Sequence, residues 1–126
     1  MKLEKENLTT KRDFEIFKSE ALKCLKQYGL SRYDVNVTHK KLNGKLVVAE
    51  CWFDHPSMAS RVSLGLHWSD GQNKATEKEL KQTAEHEVLE LLLSKLCTLI
   101  NLERYVRSEE IDEERHTIIN AIINSR

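Results

Sequence analysis

The chain has 126 residues, the usual size of one domain, and a composition of 40% hydrophobic and 32% charged residues that is ordinary for a soluble globular protein. Lys and Arg together number 20, as do Asp and Glu, and this zero net charge argues against wholesale binding to nucleic acid or to an anionic membrane. No apolar run approaches the roughly 20 residues of a membrane span, and the N-terminus lacks the apolar core of a signal peptide. We therefore expect a single cytoplasmic domain over residues 1–126.

The apolar spacing predicts three helices. The first runs over residues 10–28, and Gly29 follows as its C-terminal stop. The second and longest begins at a capping box formed by Thr76 and Glu79. Ser108 caps the third, which carries a stripe of isoleucines.

Between the first two helices the apolar period changes to two. Residues 33–38, 46–54 and 61–67 alternate in this way, which predicts three half-buried strands. Asn43-Gly44 lies between the first two strands and predicts a hairpin. The alternation favours a mainly antiparallel sheet with one face on the core. The expected fold is therefore α+β: an N-terminal helix, a three-stranded sheet, a long helix and a C-terminal helix.

The three cysteines are Cys24, Cys51 and Cys97, and none belongs to a Cys-x-x-Cys pair. A zinc site made of thiolates is therefore not expected. Their odd number and wide spacing indicate reduced core residues of a cytoplasmic protein.

The long helix contains the motif His-Glu-Val-Leu-Glu at residues 86–90. It is close to the His-Glu-x-x-His pattern of zinc peptidases, in which two histidines hold the metal and the glutamate acts on its water. Glu90 replaces the second histidine, and glutamate also binds zinc. His86 and Glu90 are four residues apart and share one face of the helix, at the border of its apolar arc. Such a border suits a metal site at the mouth of a core, and equally an ordinary surface His–Glu pair.

His116 lies at the border of the apolar stripe of the last helix. If the two helices pack together, His86, Glu90 and His116 make a set of three zinc ligands with an open fourth position. Glu113 and Glu114 are alternative third ligands. A short connection would make the helices antiparallel and place His116 nearer Cys97 than Glu90, by roughly 9 Å, so the set closes only if the helices cross steeply or if the long helix ends early.

A family resemblance rests on residues 86–90, on Arg104 and on the acidic run that leads to His116. Together they resemble small predicted metallopeptidase-like proteins found in phage genomes. The resemblance covers roughly residues 83–123. It implies a minimal zincin core, with the sheet packed beside the helix that carries the motif. The same scaffold is similar to a bacterial zinc-dependent endoribonuclease family, so the fold does not decide the substrate.

The resemblance implies zinc bound by His86, Glu90 and His116, with Glu87 as the general base on the bound water. The first hypothesis is therefore a zinc-dependent hydrolase, and specifically a metallopeptidase. Its peptide substrate would lie along the sheet edge nearest the motif helix, for which the strand at 61–67 is the candidate.

Two other functions remain open on the sequence. The chain is, alternatively, a non-catalytic phage protein that binds a protein partner and whose metal is structural or vestigial. A zinc-dependent endoribonuclease is a further alternative, although the neutral charge argues against strong phosphate binding. The oligomeric state and the identity of the metal are not determined by the sequence.

Overall fold

The computed structural model describes residues 8–30, 34–42, 47–54, 59–68, 74–101 and 108–125. Its elements in chain order are α1 (Lys11–Gln27), β1 (Asp34–Lys40), β2 (Ala49–Asp54), β3 (Ala59–Gly65), α2 (Glu77–Asn101) and α3 (Ser108–Asn124). This layout confirms the predicted α+β fold class. Within the described ranges, none of the helices has both the length and the apolar character that crossing a membrane requires.

Both ends of α1 follow from local sequence signals. Thr10 Oγ1 accepts a hydrogen bond from the backbone N–H of Asp13, and the Asp13 carboxylate accepts one from the N–H of Thr10. At the other end, Gly29 has a φ of +71°. The N–H of Leu30 then donates to the carbonyl of Leu25 at 2.8 Å, which closes a Schellman motif. The predicted stop at Gly29 is confirmed.

Gly29→Ala is expected to destabilise the fold by about 1 kcal/mol, because a residue with a Cβ pays a conformational penalty in the left-handed region. Among the described residues, no heavy atom lies within 4 Å of the position that this Cβ would take, so no steric clash adds to the penalty. Urea unfolding should show a lower midpoint at an unchanged slope. Ser19→Ala, an exposed site on α1, serves as the control. An unchanged midpoint for Gly29→Ala would contradict the left-handed backbone.

The sheet has the strand order β1-β3-β2, so β3 is its central strand. β1 pairs with β3 in parallel, with Val37 opposite Val62. β2 pairs with β3 in antiparallel, with Cys51 opposite Val62 from the other side. The predicted three-stranded sheet is therefore present as a mixed sheet. The expected edge position of residues 61–67 is wrong, because β3 has a hydrogen-bonded neighbour on each side.

The predicted hairpin between the first two strands is also wrong, since β3 separates β1 from β2. Asn43 and Gly44 themselves lie outside the described residues. The flanking chain passes close to the end of β3, where a Cβ added to Gly65 would lie 3.3 Å from Leu42 Cδ1 and 3.1 Å from the Val48 carbonyl oxygen. Glycine at this position allows that close approach.

The hydrophobic core lies between the sheet and the helices α1 and α2. Phe17 of α1, Leu91 of α2 and Val62 and Leu64 of β3 are all fully buried in it. Because residues directly opposite each other on paired strands point to the same face of the sheet, the residue opposite Val62 on β2 also faces the helices. That residue is Cys51, and its position brings β2 against the motif of α2.

Candidate metal centre

The position of the motif along α2 is set by the capped N-terminus of this helix. The N–H of Thr76 donates to Glu79 Oε1 at 3.0 Å, and the N–H of Glu79 donates to Thr76 Oγ1 at 3.2 Å. This confirms the predicted capping box. Two turns further along, Ala84 is fully buried against the core, which fixes the rotation of the helix and leaves His86 on the outer side.

His86, Glu87 and Glu90 form a group of three neighbouring metal-ligand side chains. One ligand atom from each lies within 4.8 Å of the other two. His86 Nε2 is 3.1 Å from Glu90 Oε1, as their spacing of four residues predicts. Two ligands on one tetrahedral zinc ion are separated by roughly 3.4 Å at ordinary bond lengths, so little movement would place an ion between these atoms.

Glu87 differs from the other two members because it is buried. The residue is 6% exposed, whereas the side chains of His86 and Glu90 are 67% and 53% exposed. Its neighbours across the helix–sheet interface include Cys51 and Glu50 of β2, which interact with it electrostatically. The group therefore combines two outward side chains with one carboxylate that points toward the sheet.

The pKa of Glu87 is raised from 4.5 to about 7. The largest cause is burial, which disfavours the charged carboxylate. The negative charge of Glu90 and a side-chain hydrogen bond with Glu90 add to it, while His86 acts in the opposite direction. Within the described part of the chain, Glu87 Oε1 is buried without a hydrogen-bond partner. A buried oxygen without a hydrogen bond destabilises the folded state. Protonation of this atom, or binding of a cation to it, would offset that loss.

Cys51 of β2 interacts electrostatically with Glu87 and Glu90, a position that the sequence did not reveal. Burial raises its pKa to about 12, with smaller contributions from the negative charges of Glu87 and Glu90. At neutral pH the thiol is therefore protonated, and it is not a thiolate ligand in this state. Its place beside α2 depends on the pairing of β2 with β3, whereas the sequence favoured pairing with β1.

The cysteines differ in burial although all are free thiols. Cys24 is buried, Cys51 is half-buried and Cys97 is exposed. The expectation of a core position is therefore confirmed for Cys24 and wrong for Cys97. Cys97 lies on the outer face of α2, beyond Glu90.

His116 lies on the exposed face of α3. In the part of the chain that the structure describes, it is not a member of the group formed on α2. The inward face of α3 carries Glu114 and Ile118, which are 6% and 5% exposed. His116 is two residues from each of them, and thus on the opposite side of the helix.

The apolar residues that His116 borders are themselves exposed. Ile119 and Ile123 are 46% and 56% exposed, so the broad isoleucine stripe packs by only part of its width. Of the alternative ligands, Glu113 is exposed and Glu114 is buried on the inward face. The third ligand of the predicted zinc site therefore remains a prediction.

His39 makes contacts that the sequence did not indicate. Thr9 Oγ1 donates to the carbonyl of Gly65 at 2.7 Å and lies 2.7 Å from His39 Nε2. Because the single hydroxyl proton is already used, His39 Nε2–H must be the donor to Thr9. Burial lowers the pKa of His39, and its ring stacks on Phe14 with 5.1 Å between the centroids. These contacts fasten the chain before α1 to the sheet and do not involve the metal-ligand group.

The donor atoms of the α2 group suit zinc, which binds imidazole nitrogen and carboxylate oxygen in proteins. The unpaired Glu87 oxygen and the separation of His86 from Glu90 fit the same ion. Comparison of the chain with models of protein families, with curated proteins and with solved structures finds no match.

Proposed function

We propose that this chain is a zinc-dependent hydrolase of the cytoplasm, acting on peptide bonds, with His86 and Glu90 as metal ligands and Glu87 as the general base. The observation that carries the proposal is the buried Glu87 carboxylate beside two exposed ligands. Glu87 is buried beside the proposed ligands, and among the described residues its Oε1 has no hydrogen-bond partner, so this oxygen is placed to accept a proton. An ordinary surface His–Glu pair has no need of a buried third carboxylate.

Each residue has a separate part in this proposal. Zinc, when bound, would polarise a substrate carbonyl and lower the pKa of a water to about 7. His86 and Glu90 hold and orient the ion from the outer face of α2. Glu87 takes a proton at its unpaired Oε1, and the packing of β2 against it keeps bulk water from that side. The proposed third ligand is His116, which requires α3 to rotate because His116 lies on its exposed face.

The peptide substrate is proposed to lie along β2. In the described chain β2 pairs with one strand, β3, and its other edge has no paired strand. An extended peptide binds such an edge by adding a strand through backbone hydrogen bonds. Cys51 and Glu50 of β2 lie close to Glu87, so a peptide on this edge would run past the base.

Protein purified without chelator is expected to bind zinc, at about one ion per chain in dilute solution, as elemental analysis can measure. His86→Ala should lose both this zinc and the thermal stabilisation that added zinc gives, because an imidazole ligand is removed. His67→Ala, an exposed histidine beyond β3, is the control and should keep both. His116→Ala should weaken zinc binding, and unchanged affinity would remove His116 from the ligand set. Absence of zinc, with no thermal shift on adding it, would contradict the proposal.

A non-catalytic interaction module is the second candidate. It is favoured by Ile119 and Ile123, which lie one turn apart on α3 and are about half exposed. Exposed apolar surface of this kind suits a protein partner. The metal would then be structural or vestigial, and Glu87→Gln would change no reaction.

A further inference from the structure

The edge of β2 that faces away from β3, which we call the outer edge, lies beside the helix that carries the proposed metal ligands. α2 packs mainly on β2, whereas α1 packs on β1 and β3. Within the described chain, β2 is paired with β3 alone. A strand added at the outer edge would therefore run along α2 and past Glu87.

The hydrogen-bond pattern of the sheet shows which residues of β2 direct backbone groups to the outer edge. The N–H of Gly65 donates to the carbonyl of Val48 at 2.8 Å, so these residues form a hydrogen-bonded pair of the antiparallel ladder. Such pairs alternate along a ladder, so Glu50 and Trp52 also bond to β3. Cys51, which lies between them, directs its N–H and its carbonyl to the outer edge.

The side chains of β2 alternate in the same way. Cys51 faces α2, whereas Glu50 and Trp52 point to the other face of the sheet. Trp52 is 47% exposed and is the exposed aromatic residue among those that the structure describes. Arg61, its paired residue on β3, lies over the indole with 5.4 Å between its guanidinium carbon and the ring centroid. This cation–π contact holds the exposed ring in place at the edge of the sheet.

We propose that the outer edge of β2 binds peptide segments in which an aromatic residue is followed, two positions later, by a basic one. The inference rests on the proposed peptide substrate and names its sequence class. The added strand is antiparallel, the more stable form of pairing. The aromatic residue then lies opposite Trp52, the next residue lies opposite Cys51 and faces α2, and the basic residue lies opposite Glu50.

The preference for an aromatic residue comes from the kind of pair that Trp52 forms. Because the backbone groups of Trp52 bond to β3, Trp52 and the peptide residue opposite it make a non-hydrogen-bonded pair. The Cα atoms of such a pair are about 4.5 Å apart, which brings the side chains close together. Aromatic pairs across strands are favourable at this distance. The positive charge of Arg61 disfavours a basic residue at the same position.

The preference for a basic residue comes from Glu50, which forms the same close kind of pair. The residue opposite Glu50 on β3 is Ser63, which carries no charge. Glu50 also lies near enough to Glu87 for its negative charge to contribute to the raised pKa of that carboxyl. A cation on the peptide offsets this repulsion, and opposite charges on neighbouring strands attract each other.

Tryptophan fluorescence measures the binding directly. The chain has two tryptophans, and Trp68 is 8% exposed, so a bound peptide changes the surroundings of Trp52. The protein is Glu87→Gln with its zinc, which leaves the peptide uncut. The probes are two capped threonine-rich heptapeptides of one composition, which contain Phe-x-Lys or the reversed Lys-x-Phe.

The Phe-x-Lys peptide should shift the emission to the blue and bind roughly tenfold more tightly than the reversed peptide, because the reversed order loses both favourable pairs. Equal affinities would overturn the proposal. Tighter binding of the reversed peptide would overturn the antiparallel order on which it depends. A blue shift on concentrating the protein without peptide, together with no response to either peptide, would mean that a second copy covers the edge, and would also overturn it.

Substitutions on the protein test each pair separately, with labelled peptides followed by fluorescence anisotropy. Trp52→Ala should remove the preference for Phe over Ala in the peptide. Leu22→Ala is the matched control, because Leu22 is equally exposed on α1, and it should keep that preference. Glu50→Lys should favour a Phe-x-Glu peptide over Phe-x-Lys. A preference that survives Trp52→Ala, or a charge preference that Glu50→Lys leaves unchanged, would overturn the assigned pair.

Hydrolysis of the same peptides by the wild-type protein separates this inference from the proposed activity. Cleavage of both orders at equal kcat/KM would overturn the sequence preference and leave the hydrolase intact. Tighter binding of Phe-x-Lys without cleavage of either peptide would support the recognition site and remove the hydrolase.

Discussion

Glu87→Gln is expected to reduce hydrolysis by roughly 10²–10⁴-fold, the contribution of a general base, while the protein keeps its zinc. Glutamine has nearly the shape of glutamate, but it does not take a proton. His86 and Glu90 are unchanged, so the ion remains bound. The measurement is the rate constant on an unfolded protein such as denatured casein, together with zinc content by elemental analysis.

The same substitution should stabilise the metal-free protein above pH 7. The pKa of Glu87 is about 7 in the folded state and 4.5 ordinarily, so between these pH values the folded protein keeps a proton that the unfolded chain has released. Wild-type stability therefore falls as the pH rises through this window and stays lower above it. Glutamine does not ionise, so the variant should escape this loss.

Urea unfolding in the presence of chelator, at pH 5 and at pH 8, measures the effect. Glu77→Gln is the control, because Glu77 is exposed on the same helix and forms a surface ion pair with Lys81 at 3.8 Å. It should change neither activity nor the pH dependence of stability. Full activity in Glu87→Gln would remove Glu87 as the base, and an unchanged pH dependence would contradict the burial of its carboxylate.

Leu91→Ala is expected to destabilise the metal-free protein by roughly 2–5 kcal/mol, since it leaves a cavity in the core. Leu93→Ala should have a small effect in the same metal-free protein. Leu91 is fully buried, whereas Leu93 is 43% exposed. The two residues are two positions apart and therefore lie on nearly opposite sides of α2. Comparing the stabilities of these two variants tests how α2, the helix that carries the motif, is rotated about its axis.

Thermal or urea unfolding with chelator present is the appropriate measurement, because bound zinc would add its own stabilisation. If Leu93→Ala were the more damaging change, α2 would be rotated by about half a turn. His86 and Glu90 would then face the core. The proposed hydrolase would have to be abandoned.

Local signals in the sequence predicted both ends of α1 and the start of α2 correctly, whereas Ser108, predicted as the cap of α3, is the first residue of that helix. Thr76 with Glu79 and the stop at Gly29 act through hydrogen bonds to residues a few positions away, so the sequence alone contains the whole interaction. Strand order is different, because it depends on pairing between distant segments. Asn43-Gly44 indicates a turn but does not say which strand lies beside which. The central place of β3 comes from its pairing with β1 on one side and β2 on the other, which no local signal in the sequence indicates.

The candidate site shows the same division between local and distant causes. The contact of His86 with Glu90 follows from helix geometry and was predicted. The burial of Glu87 arises from β2, which reaches α2 only through the tertiary fold. On α3 the isoleucine stripe is wide enough to pack in more than one rotation. The observed rotation buries Glu114, an acidic residue that composition places outside, and leaves His116 exposed.

The central strand of the sheet is also the last of the three in the chain, and this has a consequence for synthesis. During translation, β1 and β2 leave the ribosome before β3, which supplies the hydrogen-bonding partner of each. A nascent chain that ends before Ala59 therefore holds two strands and no sheet. Because pairing between distant segments forms slowly, these strands stay open to other chains for longer than a hairpin would. Aggregation of unfinished chains is thus a hazard that this topology creates.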